Sequence, residues 1–586
     1  MTYGTNIASF GYSSASASFH PNNTNPTTID SAAHIAEKVW YGNIAHKVTI
    51  VALAAIGIFF SGPIALGLLL AVSLLYYAAE AYSRQEICKA AGVVVHDPEQ
   101  FETMRLIPEF GNCEALPTEN SADTELWRKK LIEAARTDIT ISGNFCGDDS
   151  FVQLLDDLEK QLIKKPVLKV VILSSPRFLD EACREKLKSL DTRYSERFSL
   201  VECPDIWYIS LPKVTPSMNH TKITIIDGGE YFILGGSGIK DNFTTTGVDT
   251  ETKADFIQTK IAQGFITQDE APSLPKPKKK STFLDNIIPR SFRDMDFVFH
   301  TGPGENSVGR QAYKQALLLA YRWEQYNKMV KHLPTKPAPA NLAAFNGRPS
   351  PIELNDSVTM QLMKTPLPHW ADTRILTTVP AFDSSRLKAN DVSMKVLAQG
   401  PEQDKSPFAE ELLYRIRTAK GSIAINHMFF HPTDEIMNAL IDAANRGVKI
   451  TIITCGEYEN CPRSHHAFGP RNKYNCARLV NSVRPEFKNN IEIYEFQQYR
   501  TGHHKKAVII DNCVIAGSSN LGYKSLEVGA DNEVNFVVDN SETFVQRTWA
   551  IFNDDILHSV RRTDFSLSTN DYVKTGIHRS IAFLVG

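Results

Sequence analysis

Two stretches of this chain, His220-Thr-Lys222-Ile-Thr-Ile-Ile-Asp227 and His504-Lys-Lys506-Ala-Val-Ile-Ile-Asp511, share one spacing of histidine, lysine and aspartate. One such match alone is a weak signal. Here the likeness extends upstream. Ile139 lies 81 residues before His220 and Ile423 lies 81 residues before His504, a common displacement of 284 residues. The two halves also keep the same order of elements: a helical pattern (Trp127 to Ala135; Leu412 to Ala419), then a short apolar strand. A second helix (Phe151 to Lys164; Asp434 to Arg446) and a second strand (Lys169 to Leu173; Lys449 to Ile453) follow. The expected fold class is therefore α/β, one unit used twice.

Strand parity sorts the motif residues. In an extended segment His220 and Lys222 point to one face, as do His504 and Lys506, whereas Asp227 and Asp511, seven residues after each histidine, have opposite parity. The two aspartates are expected to hold strand and loop geometry by hydrogen bonding. The same rule removes His503 and Lys505 from the site. A His/Lys pair suits a phosphodiester, because a lysine cation neutralises non-bridging oxygens while an imidazole titrates near neutral pH. Two pairs allow one neutral histidine to attack phosphorus and the other to protonate the leaving oxygen. This chemistry requires no metal or cofactor.

A nucleophilic histidine works best with a carboxylate on its far nitrogen. Each half offers an acid that opens an apolar strand: Asp296 in Asp296-Phe-Val-Phe and Glu533 in Glu533-Val-Asn-Phe-Val-Val. These are the expected partners.

Around this centre the composition adds limits. With 586 residues, 42% of them hydrophobic, the chain can bury large cores in two or three domains. Its net charge of -3 provides no overall basic field, which argues against nucleic acid as the main partner. Nine cysteines, an odd number without a C-x-x-C pair, exclude a disulfide framework as the organising principle. Cys455, Cys461, His465 and His466 have the residue types of a zinc site but no common zinc spacing, so they read as a loop after the strand Lys449 to Ile453.

The N-terminal region differs in kind. Residues 1–40 read as a disordered polar leader; Met1 to Asp30 are rich in Ser, Thr, Asn and Ala without Lys or Arg, which disfavours a cleavable secretory signal. Residues 41–84 read as a membrane hairpin. Val48 to Ala79 runs 32 residues without a formal charge and is broken by Ser61-Gly62-Pro63, giving two short apolar helices with both ends on one side. Lys38, Lys47 and Arg84 flank the segment and suit a cytoplasmic-side anchor; spanning and re-entrant arrangements both remain open.

Over Thr124 to Asp555 the chain resembles the phospholipase D superfamily. Members continue the motif with a Gly-Ser-x-Asn or Gly-Gly-x-Asn turn. Gly517-Ser518-Ser519-Asn520 reproduces this in the second half, while Gly235-Gly236-Ser237-Gly238 has glycine in place of the asparagine. Thr301-Gly302-Pro303 ahead of the helix ending near Trp323 is similar to the family's Gly-Pro element, and Trp549 is similar to Trp323.

The resemblance implies two phospholipase D-like repeats packed as a pseudo-twofold pair behind the hairpin. They are expected at 100–330, with an insertion at 245–290, and at 401–586, joined by a connection at 331–400. Pro272 to Lys280 within the insertion reads as extended and exposed. Ser237, Ser518 and Asn520 would contact the phosphate, and a single chain would suffice for one active site. The implied activity is a membrane-associated, metal-independent phosphodiesterase or phosphatidyltransferase acting on phospholipids through a phosphohistidine. Cardiolipin synthase, nuclease, and a non-catalytic scaffold or secreted effector are the alternatives. The expected location is a bacterial membrane, with delivery into host membranes as a variant, because the leader and bilobed hairpin are similar to inclusion-membrane and secreted effector proteins.

Overall fold

The computed structural model describes residues 109–585 except 211–212, 249–250, 275–288, 303–306, 332–356, 365–375, 401–405, 459–460, 463 and 529–530. The leader (1–40), the hairpin (41–84) and the lysine run 278–280 lie outside the described residues. Among the described residues no helix is long and apolar enough to cross a membrane.

Among the described residues fifteen strands form one mixed sheet whose middle is an antiparallel pair, Gly111–Pro117 against Ala389–Gln399. Outward from Gly111–Pro117 come Asp296–His300, Tyr231–Gly235, Lys222–Ile226, Asp138–Gly143, Lys169–Ser174 and Phe198–Glu202. Outward from Ala389–Gln399 come Glu533–Asp539, Cys513–Gly517, Lys506–Ile510, Ser422–His427, Lys449–Cys455, Ile491–Phe496 and the edge strand Ser559–Arg561. Each motif strand is thus the fourth from the middle on its own side. Beyond it, three strands in each half run parallel. Parallel neighbours need crossovers, which here are helices: Asp148–Lys164 and Glu181–Arg193 in one half, Asp434–Asn445 and His465–Ser482 in the other.

Both faces of the sheet are covered, so its strands read as unbroken apolar runs. Val171, Leu173, Ile223 and Ile225 pack on one face with Leu317 and Trp323 of the helix Val308–Lys331. Val170, Ile172 and Ile226 pack on the other with Leu155 and Leu158. Each fully buried aliphatic side chain contributes about 1.5–3 kcal/mol, and the accumulated packing fixes the register that carries the motif residues.

Two stretches differ from expectation. Ala389–Gln399, inside the presumed connection 331–400, is a middle strand: Val392, Met394 and Val396 are buried while Ser393 and Lys395 between them are partly exposed. Its two-residue alternation is the signal, masked by the polar residues that carry it. Within the insertion 245–290, Lys253–Ala262 is a helix opened by a Thr252/Asp255 capping box. Phe256 and Ile257 pack it on Ala122 and Leu126.

Candidate active site

His220 and His504 sit two residues ahead of Lys222 and Lys506, which open their strands, and all four side chains are buried. Each lysine folds back onto its own histidine, with Nζ 2.8 Å from the carbonyl of His220 and of His504 respectively. Lys506 Nζ also lies 3.0 Å from both ring nitrogens of His504. One aromatic ring joins the pairs: Phe145 stands edge-on at 6.3 Å from the His220 ring and 6.5 Å from the His504 ring, with Lys222 Nζ 5.7 Å from its centre.

The carboxylate partners are exchanged between halves. His220 Nδ1 is 2.9 Å from Glu533 Oε2, while His504 Nδ1 is 2.5 Å from Asp294 Oδ2. Backbone pairing enforces the exchange. The His220 amide donates to the Asn532 carbonyl at 2.9 Å, next to Glu533. The His504 amide donates to the Arg293 carbonyl at 2.8 Å, next to Asp294, and Thr501–His503 pairs with Ser291–Arg293 as a two-stranded parallel ribbon.

Asp294, not Asp296, is therefore the first-half acid, and the sheet register gives the reason. Gly517 pairs with Asn535 and Gly235 with Asp296, so Asp296 holds the rank of Asn535, and the rank of Glu533 falls to Asp294. The bonding agrees: Asp296 Oδ1 accepts from the Ser237 amide at 3.1 Å, as Asn535 Oδ1 accepts from the Ser519 amide at 3.0 Å. A sequence signal existed. Asp294-Met-Asp296-Phe-Val aligns with Glu533-Val-Asn535-Phe-Val, whereas matching acids by their place at the strand start slips the register by two residues.

The turn residues divide by half. Ser518 Oγ donates to Glu533 Oε2 at 2.5 Å, so it buttresses the carboxylate. Asn520 donates its amide to Ser525 Oγ at 3.2 Å, and its side-chain oxygen is buried without a partner among the described residues. Ser237 Oγ bonds Ser121, behind a small pocket that Arg128, Ser142, Lys222 and Asp296 also line. At Gly238, where the family pattern has asparagine, a Cβ would meet Phe145 Cβ at 2.7 Å and the Phe145 carbonyl at 2.8 Å. The room is filled by an aromatic wall. Phe145 stacks on Phe243, and Phe243 and Phe292 stand 5.1 and 5.2 Å from the His504 ring. None of these phenylalanines is marked by the motif spacing.

Asp227 and Asp511 lie at the far ends of the motif strands, five residues and roughly 17 Å from the lysines. Both adopt left-handed backbone (φ 51° and 49°), a conformation aspartate tolerates. Asp227 Oδ1 accepts from the amides of Arg136 and Thr137 at 2.8 and 2.7 Å, and Asp511 Oδ1 from those of Gly421 and Ser422 at 2.7 and 2.9 Å. They pin the start of the adjacent strand and touch neither histidine pair. His503 and Lys505 likewise face away, toward Asn426 and Asp555.

The four residues expected in one loop are divided: Cys455 ends the strand Lys449–Cys455 and its Sγ donates to the His503 carbonyl, while His465, bonded to the Gly456 carbonyl, and His466, paired with Glu457, open the helix His465–Ser482. Among the described residues no cluster of three or more His, Cys, Asp or Glu is arranged to hold a metal ion.

Burial dominates the electrostatics. It pushes Lys506 down to about 7 and Lys222 down to about 8, against the attraction of Asp294 and Glu533. Asp294 is pushed up to about 7 by burial despite Lys506. Burial works the same way on Glu533, but His220, Lys222 and Ser518 outweigh it and hold that carboxylate below its ordinary value. Burial lowers His220 to about 4 and, with Lys506 and Lys222, holds His504 well below its ordinary value. Near neutrality the Glu533 pair thus contains a neutral imidazole and a carboxylate, whereas the Asp294 pair retains an additional proton for part of the time.

Two His/Lys pairs with exchanged carboxylates on a doubled α/β sheet fit the phospholipase D-type resemblance of the sequence, and the matches to known proteins agree with it. Residues 412–556 match the family model described as cardiolipin synthase, PLD-like domain. The chain is 26% identical over 174 residues to cardiolipin synthase A of Buchnera aphidicola subsp. Schizaphis graminum, covering 28% of this chain and 32% of that protein. It is 26% identical over 182 residues to cardiolipin synthase A of Proteus mirabilis, covering 30% and 33% respectively. The match thus spans about a third of the length of these curated relatives. Among solved structures, phosphatidylserine synthase of Haemophilus influenzae Rd KW20 aligns over 83% of this chain and 96% of that one, at 11% identity and a TM-score of 0.47.

Proposed function

We propose that this protein is a membrane-associated phosphatidyltransferase of the phospholipase D type, which moves a phosphatidyl group from a phospholipid to a hydroxyl acceptor through a phosphohistidine. The observation that carries this reading is the pair of buried histidines with carboxylates exchanged between halves. The matching strand ranks support treating the halves as a pseudo-twofold pair around one reaction centre. The lipid assignment draws on the cardiolipin synthase relatives, and membrane association on the apolar segment at 41–84.

His220 is the nucleophile in this scheme. The Glu533 carboxylate accepts its Nδ1–H, which leaves the Nε2 lone pair free for phosphorus and stabilises the charge that develops on the ring. Lys222 and Lys506 neutralise the non-bridging oxygens. His504, sharing a proton with Asp294, protonates the leaving alkoxide and then takes the proton of the incoming hydroxyl. With water as acceptor the same site hydrolyses, so the acceptor decides between transferase and lipase.

The test is incubation with labelled phosphatidylglycerol, phosphatidylcholine and single-stranded DNA, with and without EDTA, followed by mass spectrometry of trapped phosphohistidine. The expected results are cardiolipin from phosphatidylglycerol, no effect of EDTA, and a phosphatidyl group bonded through phosphorus to the His220 peptide. Loss of turnover is expected in His220→Asn and in His504→Asn. Cut DNA without lipid turnover would replace this reading with nuclease activity, and that group on the His504 peptide would reverse the two roles.

A further inference from the structure

His427 closes the strand Ser422–His427, where it stands opposite Lys506 in antiparallel register. Directly opposed residues share a face of the sheet, with Cβ atoms about 4.5–5.5 Å apart. Lys506 turns toward the His504 ring, so the His427 imidazole lies on the catalytic face. Its neighbour Asn426 points to the opposite face, where it bonds His503 and Asp555.

The His427 imidazole is 1% exposed, and neither ring nitrogen has a hydrogen-bond partner among the described residues. A buried polar group left this way is destabilising, and a bound partner would remove that penalty. Among the described residues the first half has nothing equivalent. Gly143 stands opposite Lys222, and a Cβ there would meet Cys146 Sγ at 2.6 Å. The imidazole is thus specific to the second half and extends the site on one side only.

The chemistry of the ring narrows what it can hold. Burial, with the charges of Lys506 and His503, holds His427 neutral, so it offers one N–H donor and one lone-pair acceptor. A phosphate oxygen satisfies only the donor. Two hydroxyls of a polyol satisfy both nitrogens.

We propose that His427 is an acceptor-binding residue that holds the hydroxyls of a polyol beside Lys506, so that the phosphohistidine is resolved by a glycerol-type alcohol in preference to water. This rests on the two-step transfer reading above. In the second step the reacting hydroxyl gives its proton to His504 and its oxygen forms the new P–O bond. The P–N bond breaks and its electron pair returns to His220. His427 exchanges no proton; it fixes where the alcohol sits.

The experiment uses the full chain with bis(4-nitrophenyl) phosphate as donor, which forms the phosphohistidine without any lipid, and with glycerol, ethanol and water competing as acceptors. The unsubstituted protein should favour glycerol over ethanol. His427→Leu should lower the glycerol-to-ethanol adduct ratio about tenfold, a larger change than any in the nitrophenolate burst. His427→Gln, which keeps a donor and an acceptor, should retain most of the preference. His427→Met serves as a second loss variant and should behave like His427→Leu.

An unchanged ratio in both loss variants, a burst reduced as much as the ratio, or no glycerol preference in the unsubstituted protein would overturn the proposal. A parallel arm with phosphatidylglycerol separates it from the lipid reading. Glycerol preference on the nitrophenyl donor without lipid turnover retains the role of His427 and removes the phospholipid.

Discussion

His504 lies 2.5 Å from the Asp294 carboxylate, which belongs to the opposite half of the sheet and is delivered by the ribbon that pairs Ser291–Arg293 with Thr501–His503. Asp294→Asn should keep the fold and lower turnover by about 10²-fold or more, because the amide cannot stabilise an imidazolium. Asp296→Asn, whose position is held by an asparagine in the other half, should cost less than tenfold. Steady-state kinetics of the two variants side by side checks the assignment, and the reverse ranking would refute it.

The buried lysines set the alkaline limb of the pH profile. Burial pushes Lys506 down to about 7 and Lys222 down to about 8, so rising pH strips the cations that neutralise phosphate oxygens in the proposed mechanism. The profile of kcat/KM, which reports the free enzyme, should fall from about pH 7 upward. A profile still climbing at pH 9 would contradict it.

Those lysines also carry a stability cost. Lys506 binds its proton more weakly folded than unfolded, so between about pH 7 and the ordinary lysine value the unfolded chain holds more protons and stability rises with pH. Lys506→Met should abolish turnover yet raise stability near pH 7 by roughly 1–3 kcal/mol. The gain should shrink as pH approaches 10. Thermal denaturation of both proteins across that range measures it.

Gly238→Asn tests whether restoring the family's residue restores a donor. The new Cβ would collide with Phe145, including its backbone carbonyl, so the variant should lose roughly 1–3 kcal/mol and gain no activity. Adding Phe145→Ala should not recover the loss, because alanine keeps both the Cβ and the carbonyl that the new Cβ meets.

Asp511→Ala leaves three backbone amides without their acceptor. A loss of roughly 1–3 kcal/mol is expected, with the pH profile of the residual activity unchanged, since Asp511 touches neither histidine pair. A shifted profile would place Asp511 in the proton chemistry instead.

The doubled α/β unit was legible because its apolar strands and helical periods recur at one displacement, and both motif strands form where the spacing put them. Parity separated His504 and Lys506 from His503 and Lys505 because side-chain alternation is a local property of extended backbone. What depends on tertiary register was not legible in the same way. The likeness of Asp294-Met-Asp296-Phe-Val to Glu533-Val-Asn535-Phe-Val is a local sign of Asp294, but the register that sets Gly235 opposite Asp296 is what ranks the two acids, and the exchange of carboxylates between halves has no local sign at all. Phe145 escaped notice because its role depends on the space Gly238 leaves, two residues that are distant in sequence and adjacent in the fold.

The exchange of carboxylates bears on how the protein comes into being. During synthesis His220 emerges more than 300 residues ahead of Glu533, and its lysine, strand and pinning aspartate can all be in place before that acid exists. Until the second half docks, the nascent chain has a histidine without its charge-stabilising partner. On the mechanism proposed above, reactivity would therefore await the finished fold and be withheld from the ribosome-bound polypeptide.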